Sequence, residues 1–220
     1  IRNSCLEIRD LLYTNFEYLI YRNLIGFESV FEDWEKSLTS ERDFEHIEKQ
    51  RKEKAAEYAN SINDENWATW KQRILEFCKI ESNDLATFPI FFEFLRVVAE
   101  HKPSFALELV SMHLQEIERF TIPIYRGLWN GDLHRECRDL LLKRCSQGQQ
   151  LAAIAKLFLW DVHPDHELLT SVLSVASERG DEYTLALLLE VAASQFERDE
   201  NFARKGIFVP AIKTLKRLHS

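Results

Sequence analysis

The stretch ERGDEYTLALLLEV, residues 178–191, contains the end of one predicted helix and the start of the next. Gly180 suits the left-handed conformation with which many helices end, because glycine has no Cβ to clash there. Asp181 suits the cap position of the following helix, where its carboxylate accepts from amide groups that have no partner within the helix. The apolar residues that follow recur at helical spacing. This stretch therefore predicts two helices joined by a tight turn.

The same kind of helix start recurs along the C-terminal half of the chain. Starts at Asp132, Gln149, Asp165, Asp181 and Asp199 give steps of 17, 16, 16 and 18 residues. Such a step leaves about 12 to 14 helical residues and a short turn, so neighbouring helices run antiparallel. Gly131-Asp132 is expected to repeat the arrangement at Gly180-Asp181. Pro164 and Pro103 are expected in the first turns of their helices, where a missing N–H costs nothing.

Leucine-rich clusters on these segments cover more than one side of each helix, as the inner layers of a stack require. Further helices are predicted over residues 4–24, 63–80, 84–101 and 103–120, with Pro89 either kinking or restarting the third. The composition of residues 40–61 predicts a charged, peripheral helix. The sequence predicts an all-α fold of about ten to twelve helices, in antiparallel pairs stacked as a short α-solenoid. Residues 1–80 form an N-terminal helical portion and residues 81–220 the stack, as two domains or one continuous domain.

Over residues 84–219 this pattern of paired helices, at about 33 residues per pair, resembles the α-solenoids of the HEAT-like and armadillo-like families. The resemblance is one of architecture. It implies a module that presents an extended surface to a partner, such as a helical region of a larger intracellular ATPase or of a defence or signalling protein. The fixed tryptophan, glycine and tyrosine pattern of tetratricopeptide repeats is absent from the sequence, as is the ankyrin motif TPLH.

Composition narrows the class of protein further. The chain has 220 residues, 45% of them apolar, and a net charge of −8, which repels phosphate backbones at long range. Its single methionine is Met112, which favours a fragment of a longer protein. The sequence has no apolar run long enough for a membrane span and no CxxC pair, so a cytoplasmic protein without membrane contact and with reduced thiols is expected.

Two clusters of potential metal ligands have simpler explanations. In WDVHPDHE, residues 160–167, Pro164 separates His163 from His166, which favours a helix start over a zinc site. His134, Cys137 and Cys145 do not share one helix face and have no fourth ligand, so buried thiols are expected. The sequence also has no GxSxG, HExxH, P-loop or GxGxxG motif. We therefore predict no catalytic residue, no metal and no cofactor.

The strongest candidate surface combines arginines with aromatic rings in the middle of the chain. Arginine beside an exposed ring suits the capture of carboxylates or phosphates and is typical of protein hot spots. The candidates for partner binding are Arg119, Tyr125, Arg126, Trp129, Arg135 and Arg138. A solvated face balanced by neighbouring carboxylates is the alternative interpretation.

A second basic segment lies in the last predicted helix, residues 202–218. Its five basic residues are compatible with a membrane or an acidic partner, although capping the stack is the simpler role. The basic residues are Arg204, Lys205, Lys213, Lys216 and Arg217.

Three functions remain open from the sequence. The main prediction is a non-catalytic module that recognises another protein or another domain of its own longer chain. Nucleic-acid binding through the arginine and tryptophan face is an alternative, and it includes a similarity to the HEAT-like alkylpurine DNA glycosylases in having Trp129, Trp160, Asp132 and Asp161 on a helical scaffold. A self-association scaffold is the third possibility.

Overall fold

The computed structural model describes residues 2–25, 44–159 and 164–220, and every regular element in these residues is a helix. The all-α prediction is confirmed for this part of the chain, which contains twelve α-helices of seven residues or more. The elements in chain order are α1 (Arg2–Thr14), α2 (Phe16–Leu24), α3 (Phe44–Ser61), α4 (Trp67–Cys78), α5 (Pro89–His101), α6 (Pro103–Met112), α7 (Leu114–Ile117), a 3-10 turn (Glu118–Phe120), α8 (Thr121–Asn130), α9 (His134–Ser146), α10 (Leu151–Leu157), α11 (His166–Arg179), α12 (Glu182–Gln195), a π-helix (Phe202–Phe208) and α13 (Val209–Leu218).

The chain divides by contacts into two compact units, unit 1 (Ile1–Asp132) and unit 2 (Leu133–Ser220). The predicted division between residues 80 and 81 falls inside unit 1. Helix α3 precedes this division in the chain and α5 follows it, yet the two helices pack together. As a statement about separate domains, that division stays a prediction.

Helix α5 is the centre of unit 1 because its apolar residues occupy more than one side. It packs against α2, α3, α6 and α8, and seven of its residues are buried. Pro89 is the first residue of the helix, where an N–H group would have no partner within the helix. The proline therefore starts a new helix and does not kink an existing one. A helix that is apolar on several sides has to lie inside a layer, as α5 does.

A close contact between α5 and α8 depends on Gly127 of α8. A Cβ built on Gly127 would lie 2.2 Å from the carbonyl oxygen of Arg96 and 2.6 Å from the Cβ of Ala99, both on α5. Only a residue without a side chain lets the two backbones approach this closely. Gly127 therefore sets the distance between α5 and α8.

Aromatic rings fill the space around this contact. Phe91 of α5 packs edge-on against Phe120, with ring centroids 5.2 Å apart, and against Phe77 at 5.8 Å. Phe94 lies 5.5 Å from Trp70 of α4. Such edge-to-face and tilted pairs add to the stability that ring burial provides.

The predicted charged helix at residues 40–61 corresponds to α3, which begins at Phe44. Its exposed side carries an ion pair between Glu48 and Lys52, whose charged atoms are 2.5 Å apart. Its other side buries Ala55 and Ala59 completely, and these small side chains let α3 lie close to α5. The helix is therefore charged on the outside and packed on the inside.

Two predicted helices are each interrupted by a local cap or turn. The segment 4–24 consists of α1 and α2 because Asn15 caps α2, its side-chain oxygen accepting from the Tyr18 amide at 3.0 Å. The segment 103–120 begins at Pro103 as predicted, but α6 ends at Met112. The chain then continues through α7 and the 3-10 turn.

Aspartate caps begin three successive helical segments in unit 2. The carboxylate of Asp165 accepts from the Leu168 amide at 2.8 Å, and that of Asp181 accepts from the Thr184 amide at 3.0 Å. Asp199 accepts from the Phe202 amide at 2.9 Å. Gly180 adopts the left-handed conformation at φ 67°. The predicted helix starts at these three aspartates are confirmed.

Two other predicted boundaries are wrong in detail. Gly131 is extended, with φ −98° and ψ −172°, and Leu133 precedes α9 in place of Asp132. The reason is packing: a Cβ on Gly131 would lie 3.1 Å from the carbonyl oxygen of Glu100, so this glycine permits a close approach to α5. Pro164 precedes the Asp165 cap and is not in the first turn of α11.

The helices of unit 2 pack in a regular order. Each of α9 to α11 contacts the next two helical segments, and α12 contacts the last segment, which consists of the π-helix and α13. The guanidinium of Arg179, at the end of α11, donates to the carbonyl oxygens of Gln147 and Gly148 at 2.7 and 3.0 Å. This fastens α11 to the turn that precedes α10.

Replacing Gly127 with alanine should destabilise unit 1, because the new methyl group meets the backbone of α5 at a distance no side-chain rotation relieves. We expect a loss of about 1–3 kcal/mol in the free energy of unfolding, measured by urea denaturation. Asn130→Ala, at an exposed position of the same helix, is the control and should change stability by less than about 0.5 kcal/mol. Equal stability of the two variants would show that α5 and α8 are farther apart.

Asp165 should contribute to the pH dependence of stability. Burial raises the pKa of Asp165, but hydrogen bonds from the Arg138 guanidinium and the Leu168 amide outweigh it and hold the pKa below its usual range. A carboxyl group with a lowered pKa in the folded chain stabilises the fold above its unfolded pKa, about 4. That contribution is lost as the pH falls through the folded pKa.

The test compares Asp165→Asn with Asp165→Ala by urea denaturation at neutral pH and between about pH 5 and pH 2. Asparagine keeps a capping oxygen but no charge, so this variant should lose part of the acid dependence and little of the cap. Alanine should cost about 1–2 kcal/mol at neutral pH. An acid dependence in Asp165→Asn identical to that of the parent chain would show that this carboxyl contributes nothing to it.

Candidate interaction surface

The two aromatic residues of the predicted arginine and aromatic face are buried in unit 1. Tyr125 has no exposed surface and Trp129 is 8% exposed. Both belong to the buried stripe of α8, together with Ile124 and Leu128. Within unit 1 these rings are part of the core, which corrects the expectation that they stand exposed beside the arginines.

The two arginines of this group in unit 1 have different surroundings. Arg119 lies over the rings of Phe88 and Phe120, 5.5 and 5.6 Å from their centroids. Its guanidinium also reaches the carbonyl oxygen of Ile80 at 3.5 Å. Arg126 is half-buried. Arg119 thus binds its own unit through cation–π contacts.

The other two arginines lie on α9 in unit 2. Arg138 donates to Asp165 and to Glu167, each at 2.6 Å, and so joins α9 to the first turn of α11. Arg135 is exposed. The structure describes the six predicted residues in two separate units, and within those units Arg119 and Arg135 are exposed. Their role in partner binding stays a prediction.

The segment WDVHPDHE is described only from Pro164 onward, and residues 160–163 lie outside the described residues. Asp165 has the predicted capping role. The ring of His166 stacks on Phe202, with centroids 3.6 Å apart and planes 12° from parallel. Gly206 makes room for this ring, since a Cβ there would lie 2.8 Å from Phe202. The described part of the segment forms the start of α11.

Three of the four cysteines are buried, and all four are free thiols. Burial raises the pKa of Cys137 to about 12. Burial also raises the pKa of Cys78 to about 12, although the nearby Arg119 acts in the opposite direction. The pKa of Cys145 is raised by burial as well. These thiols stay protonated at neutral pH, as expected of cysteines in a helical core.

The described residues contain no metal cluster, and the groove along α3 is not a convergent pocket. No group of three or more histidine, cysteine, aspartate or glutamate side chains is arranged there to hold a metal ion. A groove of about 550 Å³ runs along α3, and its described lining side chains all come from that one helix. A groove formed by one helix gives no second element from which groups converge on a ligand.

The last helical segment carries a surface that we name the C-terminal basic ridge: Arg204, Lys205, Lys213, Lys216 and Arg217. All five residues are exposed. Residues 201–220 contain these five basic residues and no acidic one.

On α13 the basic residues face away from the core of unit 2. Lys213, Lys216 and Arg217 are three and four residues apart, a spacing that places them on one helix face. Ala211, the buried residue of α13, is two positions from Lys213 and so points to the opposite side. Lys205 precedes Lys213 by eight residues, about two helical turns.

Few of these charges are balanced within the described part of the chain. Arg204 lies 3.7 Å from Glu200, in a pair where both side chains are largely exposed. Arg217 reaches the carbonyl oxygen of Ser177 at 3.5 Å. Lys205, Lys213 and Lys216 form no ion pair with any described residue. The ridge therefore contains three ammonium groups that form no ion pair within the described residues.

The helix dipole accounts for only part of this charge. Positive side chains are favourable in the last helical turn, which explains Lys216 and Arg217. Arg204, Lys205 and Lys213 lie before that turn, where the dipole gives little benefit. Lysine and arginine four residues apart, as at 213 and 217, also repel each other. The charge of the ridge is therefore not explained by helix stability alone.

The ridge also stands out against the charge of the whole chain. Unit 1 contains 16 basic and 24 acidic residues, whereas unit 2 contains 12 of each. The net charge of −8 therefore comes from unit 1, and the positive C-terminal segment is balanced by acidic residues elsewhere in unit 2. The net charge of the entire chain therefore does not indicate the local excess of positive charge at residues 201–220.

Apolar residues accompany the basic ones. Phe208, at the end of the π-helix, is 46% exposed, and Leu218 is exposed as well. Val209 and Ile212 are half-buried. Reasoning from the sequence identified the basic residues of this segment but not Phe208. The sequence feature that indicates Phe208 is its position, because it is a large aromatic residue between Lys205 and Lys213 and next to the buried Ile207.

Trp129→Ala should destabilise the protein because the ring is part of the core of unit 1. We expect a cost of about 3–5 kcal/mol in urea denaturation, the range for a buried aromatic residue. The exposed Arg135→Ala is the control and should stay within about 0.5 kcal/mol of the parent chain. A Trp129→Ala protein as stable as Arg135→Ala would contradict this burial.

Within the described residues, none of the helices has both the length and the apolar character that crossing a membrane requires. Comparisons with protein-family models, with curated proteins and with solved structures find no match to this chain. Inferences about its function therefore rest on its own residues.

Proposed function

We propose that this chain is a non-catalytic helical-repeat module that recognises another protein through its C-terminal basic ridge. The observation that carries the proposal is the set of three exposed lysines, Lys205, Lys213 and Lys216, with no ion pair among the described residues. An acidic partner would supply the missing counter-charges. The module is expected to act in the cytoplasm, as part of a larger protein or beside one.

The order of helix contacts in unit 2 supports a stacked architecture of the HEAT-like or armadillo-like kind. Contacts between each segment and the next two are what a stack of antiparallel pairs produces. Such a stack holds its surface side chains on a rigid support, which lowers the entropic cost of ordering them on binding. The ridge lies on the last segment of this stack.

The composition of the ridge favours a protein partner over a nucleic acid. Phe208 and Leu218 provide apolar surface beside the charges, and interfaces between proteins combine an apolar centre with a charged rim. Phosphate backbones would also meet the long-range repulsion of a chain with a net charge of −8. Nucleic-acid binding, including that of a HEAT-like glycosylase, and self-association are outcomes that an experiment distinguishes.

Photo-crosslinking in cells of the native host tests the proposal. Phe208 is replaced by a photoreactive phenylalanine analogue in one variant, and Phe196 in another, because the two rings are 46% and 47% exposed and both lie in unit 2. We expect a defined protein crosslinked at position 208 and not at 196. Adding Lys213→Glu and Lys216→Glu should lower the yield at 208 by at least about fivefold.

Other crosslinks would lead to other conclusions. Nucleic acid crosslinked at position 208 would support the nucleic-acid alternative, and a second copy of the same chain would support self-association. Equal crosslinking at positions 208 and 196 would show that the ridge has no selectivity, and the proposal would be abandoned.

A further inference from the structure

We propose that the loop of residues 80–88, between α4 and α5, is a docking loop whose Leu85 enters an apolar pocket of another protein. Basic residues surround that pocket on the partner. The loop belongs to unit 1, whereas the proposed function rests on the C-terminal basic ridge of unit 2. The inference therefore goes beyond the proposed function and is tested separately from it.

The exposure of Leu85 is the observation from which the inference starts. Leu85 is the most exposed of the large apolar side chains that the structure describes, with 95% of its surface in solvent. It therefore gains no stability from burial within unit 1. The turn around it does not require a leucine either, because polar residues form its hydrogen bonds. The apolar area of this side chain is removed from water only when a partner covers it.

Hydrogen bonds fix the shape of the turn that presents Leu85. The Thr87 amide donates to the carbonyl oxygen of Asp84 at 3.1 Å, which closes the turn. The Asp84 carboxylate accepts from the Ala86 amide at 2.9 Å. The hydroxyl groups of Ser82 and Thr87 share a hydrogen bond of 2.7 Å. A loop that is already ordered loses little conformational entropy when it binds a partner.

Arg119 links the two ends of the loop. Its guanidinium reaches the carbonyl oxygen of Ile80, at the start of the loop, at 3.5 Å. It also lies over the ring of Phe88, at the end of the loop, 5.5 Å from the ring centroid. Phe88 is held in turn by Phe120, since the two rings pack edge-on with centroids 5.3 Å apart. Compact loops with linked ends are frequently binding elements.

A second apolar side chain is exposed at the base of the loop. Phe92 of α5 is 38% exposed, and its ring packs against that of Phe88 with centroids 6.2 Å apart. Phe88 thus connects the loop to an exposed aromatic residue. Because aromatic residues are enriched in interfaces between proteins, Phe92 adds contact area to that of Leu85.

The charge around the partner's pocket follows from the carboxylates of the loop. Residues 80–88 contain Glu81 and Asp84, both exposed, and no basic residue. Neither carboxylate forms an ion pair with a described residue, and the adjacent Lys79 is paired with Glu76 at 2.7 Å. Unit 1 as a whole contains 16 basic and 24 acidic residues. Lysine or arginine around the pocket complements both the loop and the unit.

Nucleic acids and membranes fit this loop less well. Its carboxylates repel phosphate backbones and anionic lipid head groups. One protruding leucine also provides too little apolar area to hold a protein on a bilayer. Both become outcomes of the test, as does a second copy of this chain.

Photo-crosslinking with the complete chain in cells of the native host tests the inference. Leu85 is replaced by an amino acid with an aliphatic diazirine side chain in one variant, and Met112 in another. Met112 is the matched control because it also lies in unit 1 and is 73% exposed. We expect a defined protein crosslinked at position 85 and not at 112. Mass spectrometry of the crosslinked peptide should place the contact among apolar residues with lysine or arginine beside them.

A competition assay in lysate tests whether the leucine is responsible for binding. Purified chains without the photoreactive group are added in excess before crosslinking. The parent chain and Met112→Ser should lower the yield at position 85 by at least about fivefold, whereas Leu85→Ser should lower it by less than about twofold. Both substitutions lie at exposed positions, and circular dichroism checks that the helices are intact.

A charge-matched pair of competing chains tests the carboxylates. Glu81→Gln with Asp84→Asn neutralises the loop, and asparagine keeps the side-chain oxygen that accepts from the Ala86 amide. Asp64→Asn with Glu65→Gln makes the same change in charge in another exposed turn of unit 1. We expect the first pair to raise the concentration needed for half-inhibition at least about threefold at low salt, and the second less than about 1.5-fold.

Each outcome supports or overturns the inference. Crosslinking confined to position 85, competed only by chains that keep Leu85 and weakened by neutralising the loop, supports it. No crosslink at 85, or equal crosslinking at 85 and 112, overturns the docking loop. A contact mapped to a polar or acidic surface, or a neutral loop that competes as well as the parent chain, overturns the chemistry of the pocket. Nucleic acid, lipid or a second copy of the chain at position 85 overturns the choice of partner.

Discussion

A helix that begins inside a packed stack needs acceptors for its first amide groups, and unit 2 supplies them with aspartates. Asp165, Asp181 and Asp199 each bond an amide at the start of a helical segment. The spacing of these caps fixes the length of each helix and returns the chain to the same side of the stack. Asp165 also pairs with Arg138 of α9, so one carboxylate both starts a helix and joins it to another. The starts of α11, α12 and the last segment depend on these bonds.

The sequence predicts the features that arise from local chemistry. The aspartate caps, the left-handed Gly180 and Pro89 as the start of a helix all follow from the conformational limits of single residues. The prediction for Gly131 is wrong because glycine serves two purposes, a left-handed turn and a close approach, and the sequence does not distinguish them. The contact partner that decides the matter, the Glu100 carbonyl, is about 30 residues away in the chain.

The candidate surface was harder to predict because exposure depends on distant parts of the chain. Tyr125 and Trp129 are four residues apart and belong to a stripe with Ile124 and Leu128, a pattern that indicates a buried face. The nearby arginines suggested an exposed one. In the last helix the basic residues were evident, but the absence of counter-charges depends on which acidic side chains lie nearby in space. Only the folded arrangement reveals that Lys213 and Lys216 form no ion pair with a described residue.

The burial of three cysteines has a practical consequence for following this protein in solution. Alkylating and disulfide reagents attack thiolates, so the native chain should react at Cys5 on α1, the one exposed thiol, well before the others. Cys78 in unit 1 and Cys137 and Cys145 in unit 2 become reactive when the helices around them separate. The natural sequence thus carries a single labelling position for a fluorophore, together with separate chemical reporters of opening for each of its two units.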